Sequence, residues 1–187
     1  MKVAVRFGGA GGQGIVLAGL ILAEAAALAG RRVACTQAYG PESRGGASRS
    51  DVIISDGPIL FPVARRLDVL VALTQQACEA SWQAVKPEGV AVLDTGVVPP
   101  GDGVAHLLLP LVDTARRITR SALGANMVAL GVVASLVELV PPEALEEAVA
   151  RRAPPASRPL NLALLETGRA LGRSLREEAS PLPGGGA

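Results

Sequence analysis

The sequence predicts an α/β fold: a single Rossmann-like domain with a mainly parallel sheet, a β-hairpin addition and a helical C-terminal part. Three observations carry this. An apolar run at 3–7 leads directly into GGAGGQG at 8–14, which opens the long apolar segment 15–29, so a strand, a glycine turn and a helix follow one another. The short apolar runs 68–73 and 90–94 have the character of strands covered on both faces, and the helical pattern 75–85 separates them. From residue 113 onward the pattern is helical. With 187 residues and 49% hydrophobic composition, the chain can build one globular core.

In order, 2–7 is the first strand and 13–29 the first helix, with Gly30 as its C-cap. Residues 32–37 form the second strand and 38–47 a polar Gly/Pro loop. The stretch 48–55 alternates polar and apolar and ends at the turn signal Asp56-Gly57, so 59–61 is expected to return as its hairpin mate. A further strand at 104–109 is closed by Pro110. Helices follow at 113–121, 125–139, from Pro141-Pro142 to 152, and 160–178. The domain is expected to span 1–176, with 177–187 a disordered Pro/Gly-rich tail.

Composition excludes several functions. Aromatics are 2% of the chain, too few for a base-stacking platform, and a net charge of +1 offers a polyanion nothing, so no nucleic-acid partner is expected. Cys35 and Cys78 are too few for an iron–sulfur cluster and read as reduced, buried thiols. Residues 15–23 faintly mimic a signal peptide, but a strand and a glycine cluster precede them and Glu24 interrupts them. No apolar span reaches the ~20 residues that cross a bilayer, so a cytoplasmic protein without a membrane partner is expected.

Gly9, Gly11 and Gly14 satisfy GxGxxG, which suggests a nicotinamide enzyme, but the rest of the chain argues against one. The second strand ends Ala34-Cys35-Thr36-Gln37, with no acidic residue at its tip for a ribose hydroxyl. Arg31 and Arg32 stand at the strand's start. Tyr39 is the single tyrosine, Lys2 and Lys86 are the lysines, and no Tyr–Lys pair exists. The lone His106 has nothing nearby to orient it as a base.

The second loop reads YGPESRGG at 39–46 and continues ASRS. It leaves the carboxyl end of the second strand as the first loop leaves that of the first, so both are expected on one sheet edge, where open α/β folds bind ligands. Arg44 beside glycines suits a phosphate, a carboxylate or a partner's acidic residue; an ordinary surface ion pair fits it equally well.

GAGGQG at 9–14, YGPESRGGASRSDVIISDGPI at 39–59, and Asn126-Met127 with Leu130-Gly131 resemble the gamma subunit of 2-oxoacid:ferredoxin oxidoreductases, in the 2-oxoglutarate (KorC-like) branch. The likeness covers residues 3–172. It implies a subunit of a thiamine-diphosphate-dependent complex. That complex converts a 2-oxoacid, coenzyme A and oxidised ferredoxin to acyl-CoA, carbon dioxide and reduced ferredoxin. Thiamine diphosphate, magnesium and the iron–sulfur clusters are then carried by alpha, beta and ferredoxin-like delta subunits, and this chain alone binds none of them. The resemblance also implies that the isolated chain is inactive and that the gamma domain packs on the thiamine-bearing subunits and helps form the coenzyme A site. Gly101-Asp102-Gly103 with Asn126 resembles the family's thiamine–magnesium motif, but the spacing is short and the stretch is expected to be a surface turn.

Under one reading, Gly9, Gly11, Gly12, Gln13, Gly14, Tyr39, Gly40, Arg44, Gly45, Gly46 and Arg49 contact coenzyme A. Arg44 and Arg49 then supply charge, and the backbone N–H groups of 11–14 supply neutral donors. Under a second, the same residues are docking surface, with Gln13 and Arg44 bridging to a partner. A third is a freestanding nucleotide-binding protein. Asn126 is expected to cap its own helix or to bond across a subunit boundary. Glu24 is expected to face solvent without a role. Without partners the chain is expected to expose apolar surface and to dimerise.

Overall fold

The computed structural model describes residues 1–39 and 46–179. Six strands, β1 (Lys2–Ala10), β2 (Arg32–Tyr39), β3 (Ala47–Ser55), β4 (Leu67–Ala72), β5 (Val85–Asp94) and β6 (Ala105–Leu109), form one sheet in the order β2-β3-β1-β4-β5-β6. The pairs β1–β4, β4–β5 and β5–β6 are parallel, while β3 runs antiparallel to both β1 and β2. Because β3 reverses between them, β1 and β2 point the same way and end at the same edge. The helices are α1 (Ile15–Leu28), α2 (Gln75–Ser81), α3 (Leu111–Thr119), α4 (Ala125–Val137), α5 (Pro142–Arg152) and α6 (Arg158–Ala179).

The expected hairpin between 48–55 and 59–61 does not form. Pro58 and Pro62 remove backbone donors on either side of that short run, so it cannot sustain a ladder. β3 instead pairs over its whole length with β1 on one side and β2 on the other, and the hairpin of this fold is β2–β3. β1 is also longer than the apolar run suggests. Gly8, Gly9 and Ala10 continue the strand opposite Arg49, Ser48 and Ala47.

Strand alternation divides the core in two. Val5, Phe7, Val52, Ile54, Val69, Val71 and Val92 point to one face, where Ile21, Leu22, Met127, Leu130 and Leu145 of the helices meet them. Ala4, Ile53, Leu70, Ala72 and Leu93 point to the other, beneath Ala77, Cys78 and Trp82. α4 is apolar all round and buried, as a helix enclosed by other elements must be. α1 lies directly on β3: a Cβ on Gly19 would stand 2.7 Å from the Ser50 Cβ. Gly30, at φ 75°, ends α1 as expected, its N–H bonding Ala27 O at 3.0 Å. Glu24 is not an idle surface residue. Its largely covered side chain pairs with Arg152 and lies 3.8 Å from Arg151, tying α1 to α5. No described helix is long and apolar enough to cross a membrane.

Candidate functional site

The first glycine-rich segment and the described ends of the second, Tyr39 and Gly46, meet at the carboxyl edge of β1 and β2. Ala10 stands opposite Ala47 and Tyr39 opposite Ser48, which brings the two crossings side by side. They are joined directly: the Gly11 N–H donates to Gly46 O at 2.8 Å. Gly40, Arg44 and Gly45 lie outside the described residues.

The turn after β1 is braced from within. Ala10 N–H donates to Gln13 Oε1 at 2.7 Å, and Gln13 N–H donates to Ala10 O at 3.2 Å. Gly12 and Gly14 have φ of 90° and 73°, the left-handed region that glycine enters without strain, and they turn the chain from strand into helix. These bonds alter the expected donor set. The N–H groups of Gly11 and Gln13 are engaged inside the protein, and the Gln13 carbonyl oxygen holds the turn rather than reaching outward.

Asn126, on α4, reaches across to this turn. It is buried, and its Nδ2 donates to Gly14 O at 3.0 Å, an oxygen that also accepts the first α1 hydrogen bond from Ala18 N–H at 3.0 Å. It is therefore neither a local cap nor exposed to a partner; it clamps α1 to α4. A Cβ on Gly14 would fall 2.9 Å from the Asn126 Cγ, so the two positions fit only as a pair. Because Gly14 O keeps its helical donor, Asn126→Ala is expected to cost about 1–2 kcal/mol, the lost bond and contact, in urea unfolding. An unchanged midpoint would show that the clamp holds nothing.

Two clefts flank this edge, and both border Tyr39 and Ser48. One, of about 210 Å³, is lined by Gly8, Ala38, Arg49, Gln76 and Ser81. The other, of about 410 Å³, is lined by Gly11, Gly12, Val16, Leu17 and Leu20. Tyr39 is 69% exposed between them. Arg49 is half exposed, with Nε 3.7 Å from Asp51 Oδ2, so its charge is partly offset. A larger cleft of about 470 Å³ opens near Arg31 at the opposite edge, where β2 begins. Its arginines are neutralised: Arg169 by Glu146 at 3.1 Å, Arg173 by Glu166 at 2.7 Å, Arg176 by Glu138 and Arg31 by Asp56. The smaller, glycine-lined clefts are the better candidates.

Elsewhere among the described residues, the titratable side chains do not assemble into a catalytic centre. Among the described residues no group of three or more His, Cys, Asp or Glu could hold a metal ion. Cys78 is buried, whereas Cys35 is only partly so, its Sγ 3.8 Å from Ser50 Oγ. Burial pushes both thiols up, most directly by desolvating the thiolate, which makes them poor nucleophiles. His106 is exposed, tilted against Trp82 with ring centroids 6.1 Å apart. Residues 101–103 form an exposed bend far in character from a buried metal-delivering strand.

Residues 4–171 match the family model described as pyruvate ferredoxin/flavodoxin oxidoreductase. The chain belongs to that family. Within it, this is a KorC-like gamma subunit. It is 38% identical over 180 residues to the 2-oxoglutarate synthase subunit KorC of Methanocaldococcus jannaschii, covering 94% of this chain and 96% of that one. The gamma subunit of a keto/oxoacid ferredoxin oxidoreductase from Geobacter sulfurreducens superposes with a TM-score of 0.82 at 39% identity, covering 93% of this chain and 98% of the other. The 2-oxoglutarate:ferredoxin oxidoreductase of Magnetococcus marinus, solved with 2-oxoglutarate, coenzyme A and succinyl-CoA bound, gives a TM-score of 0.80 at 27% identity over 92% of this chain but only 31% of its own.

Proposed function

We propose that this chain serves a thiamine-diphosphate-dependent 2-oxoacid:ferredoxin oxidoreductase, with 2-oxoglutarate as the substrate, by packing on the catalytic subunits and lending the glycine-lined edge to the coenzyme A site. The observation that carries the reading is the meeting of the two crossings at Gly11 and Gly46, with clefts on either side of Tyr39 and Ser48. The KorC of M. jannaschii and the ligand-bound M. marinus enzyme support the substrate class. Thiamine diphosphate, magnesium and the clusters belong to partner chains in this reading. The two cysteines of this chain are too few and too far apart in sequence to hold a cluster.

Coenzyme A is long and carries phosphates. A glycine-lined rim lets its chain lie close to backbone, and arginine supplies the charge. With the Gly11 and Gln13 N–H groups engaged internally, fewer backbone donors of the turn are left for a phosphate, and the charge for recognising it comes from Arg44 and Arg49. Arg44→Ala in the reconstituted complex is expected to raise KM for coenzyme A about tenfold or more, the value of one charge-assisted contact, while leaving assembly and kcat intact. Arg49→Ala, already shared with Asp51, should do less. Unaltered coenzyme A kinetics in both variants would remove the rim from the binding site and leave docking as its role.

A further inference from the structure

We infer that the segment 57–66, on the sheet face opposite α1 and α4, is the docking surface for the polypeptide that corresponds to the rest of the M. marinus chain, and that it seats in an apolar socket rimmed by carboxylates. This rests on the subunit reading above and names the surface by which that subunit is held.

A mainly parallel sheet is covered on both faces in a finished α/β body. Here one face carries α1, α4 and α5. The other carries α2, which is only seven residues long, and the segment that crosses between β3 and β4. That segment, GPILFPVARR, is anchored at two points. Ile59 packs on the second core, and Ala64 is buried, its carbonyl oxygen accepting from Arg6 Nη2 at 3.2 Å. Between and beside the anchors, Leu60 is 91% exposed, Phe61 56% and Val63 52%. Prolines at 58 and 62 fix the backbone that presents them. The Arg65 guanidinium stands over the Phe61 ring, 5.2 Å from its centroid. A rigid, proline-bracketed run of large apolar side chains is the form of an interface anchor.

The occupant follows from the comparison already described. The domain makes up 31% of the M. marinus chain, so in that protein it is one part of a larger polypeptide. The rim indicates the partner's chemistry. Arg65 and Arg66 are exposed and form no ion pair with any other described residue, so they offer charge to carboxylates on the facing surface.

The test is co-expression of the tagged chain with the catalytic chains of its complex, followed by quantitative capture. Leu60→Glu/Phe61→Glu is expected to reduce captured catalytic chain about tenfold or more, and Arg65→Glu/Arg66→Glu to weaken capture with a loss of its salt dependence. Leu123→Glu, at an exposed apolar position elsewhere, serves as control and should capture as wild type does. Thermal unfolding of each variant guards against misfolding, since these side chains are already in solvent. Capture undiminished in the Leu60/Phe61 variant, or equally diminished in the control, overturns the assignment while leaving the subunit reading intact. No capture by wild type overturns both. A dimer of the isolated chain that the Leu60/Phe61 variant dissolves, with capture unaffected, makes a second copy the occupant and overturns it as well.

Discussion

Asp51→Asn is expected to destabilise the protein by about 3–5 kcal/mol, because it leaves the Arg6 guanidinium buried without a carboxylate, and Arg6→Met to cost less, because Arg49 Nε still stands 3.7 Å from Asp51 Oδ2. Arg6 on β1 and Asp51 on β3 are paired in register at the centre of the sheet, with side chains only 7% and 4% exposed. The contact is bidentate, Nε to Oδ1 at 2.7 Å and Nη2 to Oδ2 at 2.8 Å, the planar match that a lysine could not make. Further guanidinium hydrogens go to Ala64 O at 3.2 Å and Ser81 Oγ at 3.4 Å. The pair thereby links the sheet to the end of α2 and to the segment bearing Leu60 and Phe61. A hydrophobic double replacement, Arg6→Met/Asp51→Leu, should recover most of the loss, since removing both charges also removes their desolvation cost. Urea midpoints of the three variants decide the matter. A single Asp51→Asn within about 1 kcal/mol of wild type would mean that water reaches the pair and that its burial is not energetically real.

Much of this architecture was legible in the residues. The strand–glycine–helix opening, the short buried strands and the helical C-terminal part needed only periodicity and turn chemistry, and Ala10 and Tyr39 reach one edge because each ends a strand pointing the same way. What could not be read was pairing. Period-two alternation at 48–55 says that a strand exists but not which neighbours it takes, and β3 inserts between β1 and β2 rather than folding back on 59–61. The same gap hid the Arg6–Asp51 pair, separated by 45 residues, and the Asn126–Gly14 clamp, separated by 112. The Glu24 contact is hidden for a related reason. An acid in an apolar helix signals either exposure or a partner, and Arg152 lies too far along the chain for local pattern to supply it. The sequence does carry one such signal: a charge inside the apolar first strand, Arg6, demands an opposite charge on a neighbouring strand, and Asp51 is the acid within 48–55.

Gly168→Ala and Gly131→Ala are expected to destabilise the protein, even though the same change in an exposed helix would stabilise it by about 1 kcal/mol. α4 and α6 cross with their backbones almost in contact. A Cβ on Gly131 would stand 2.8 Å from the Arg169 backbone nitrogen, and one on Gly168 would stand 2.8 Å from the Val128 carbonyl carbon. Both contacts are with backbone, which cannot rotate away, so the helices themselves would have to part. Gly172 repeats the arrangement a turn later, where a Cβ would lie 2.7 Å from that of Ser135. Each helix thus presents two small residues four apart, Gly131 and Ser135 against Gly168 and Gly172, and the two rows mesh. Ser135 adds a bond from Oγ to Arg169 O at 3.0 Å. Overpacking of a tight core costs about 1–3 kcal/mol and exceeds the gain in helix propensity, so a net loss of about 2 kcal/mol is expected for either alanine and a larger one for valine. The damage should also travel. α4 carries Asn126, whose bond to Gly14 O fixes the turn at the candidate site, so displacing α4 from α6 should speed exchange of the Ala18 amide, which donates to the same oxygen, along with that of α6 amides. A stabilised Gly168→Ala variant, with exchange at α1 unchanged, would mean that the crossing is loose enough to accept a methyl group and that the clamp does not depend on it.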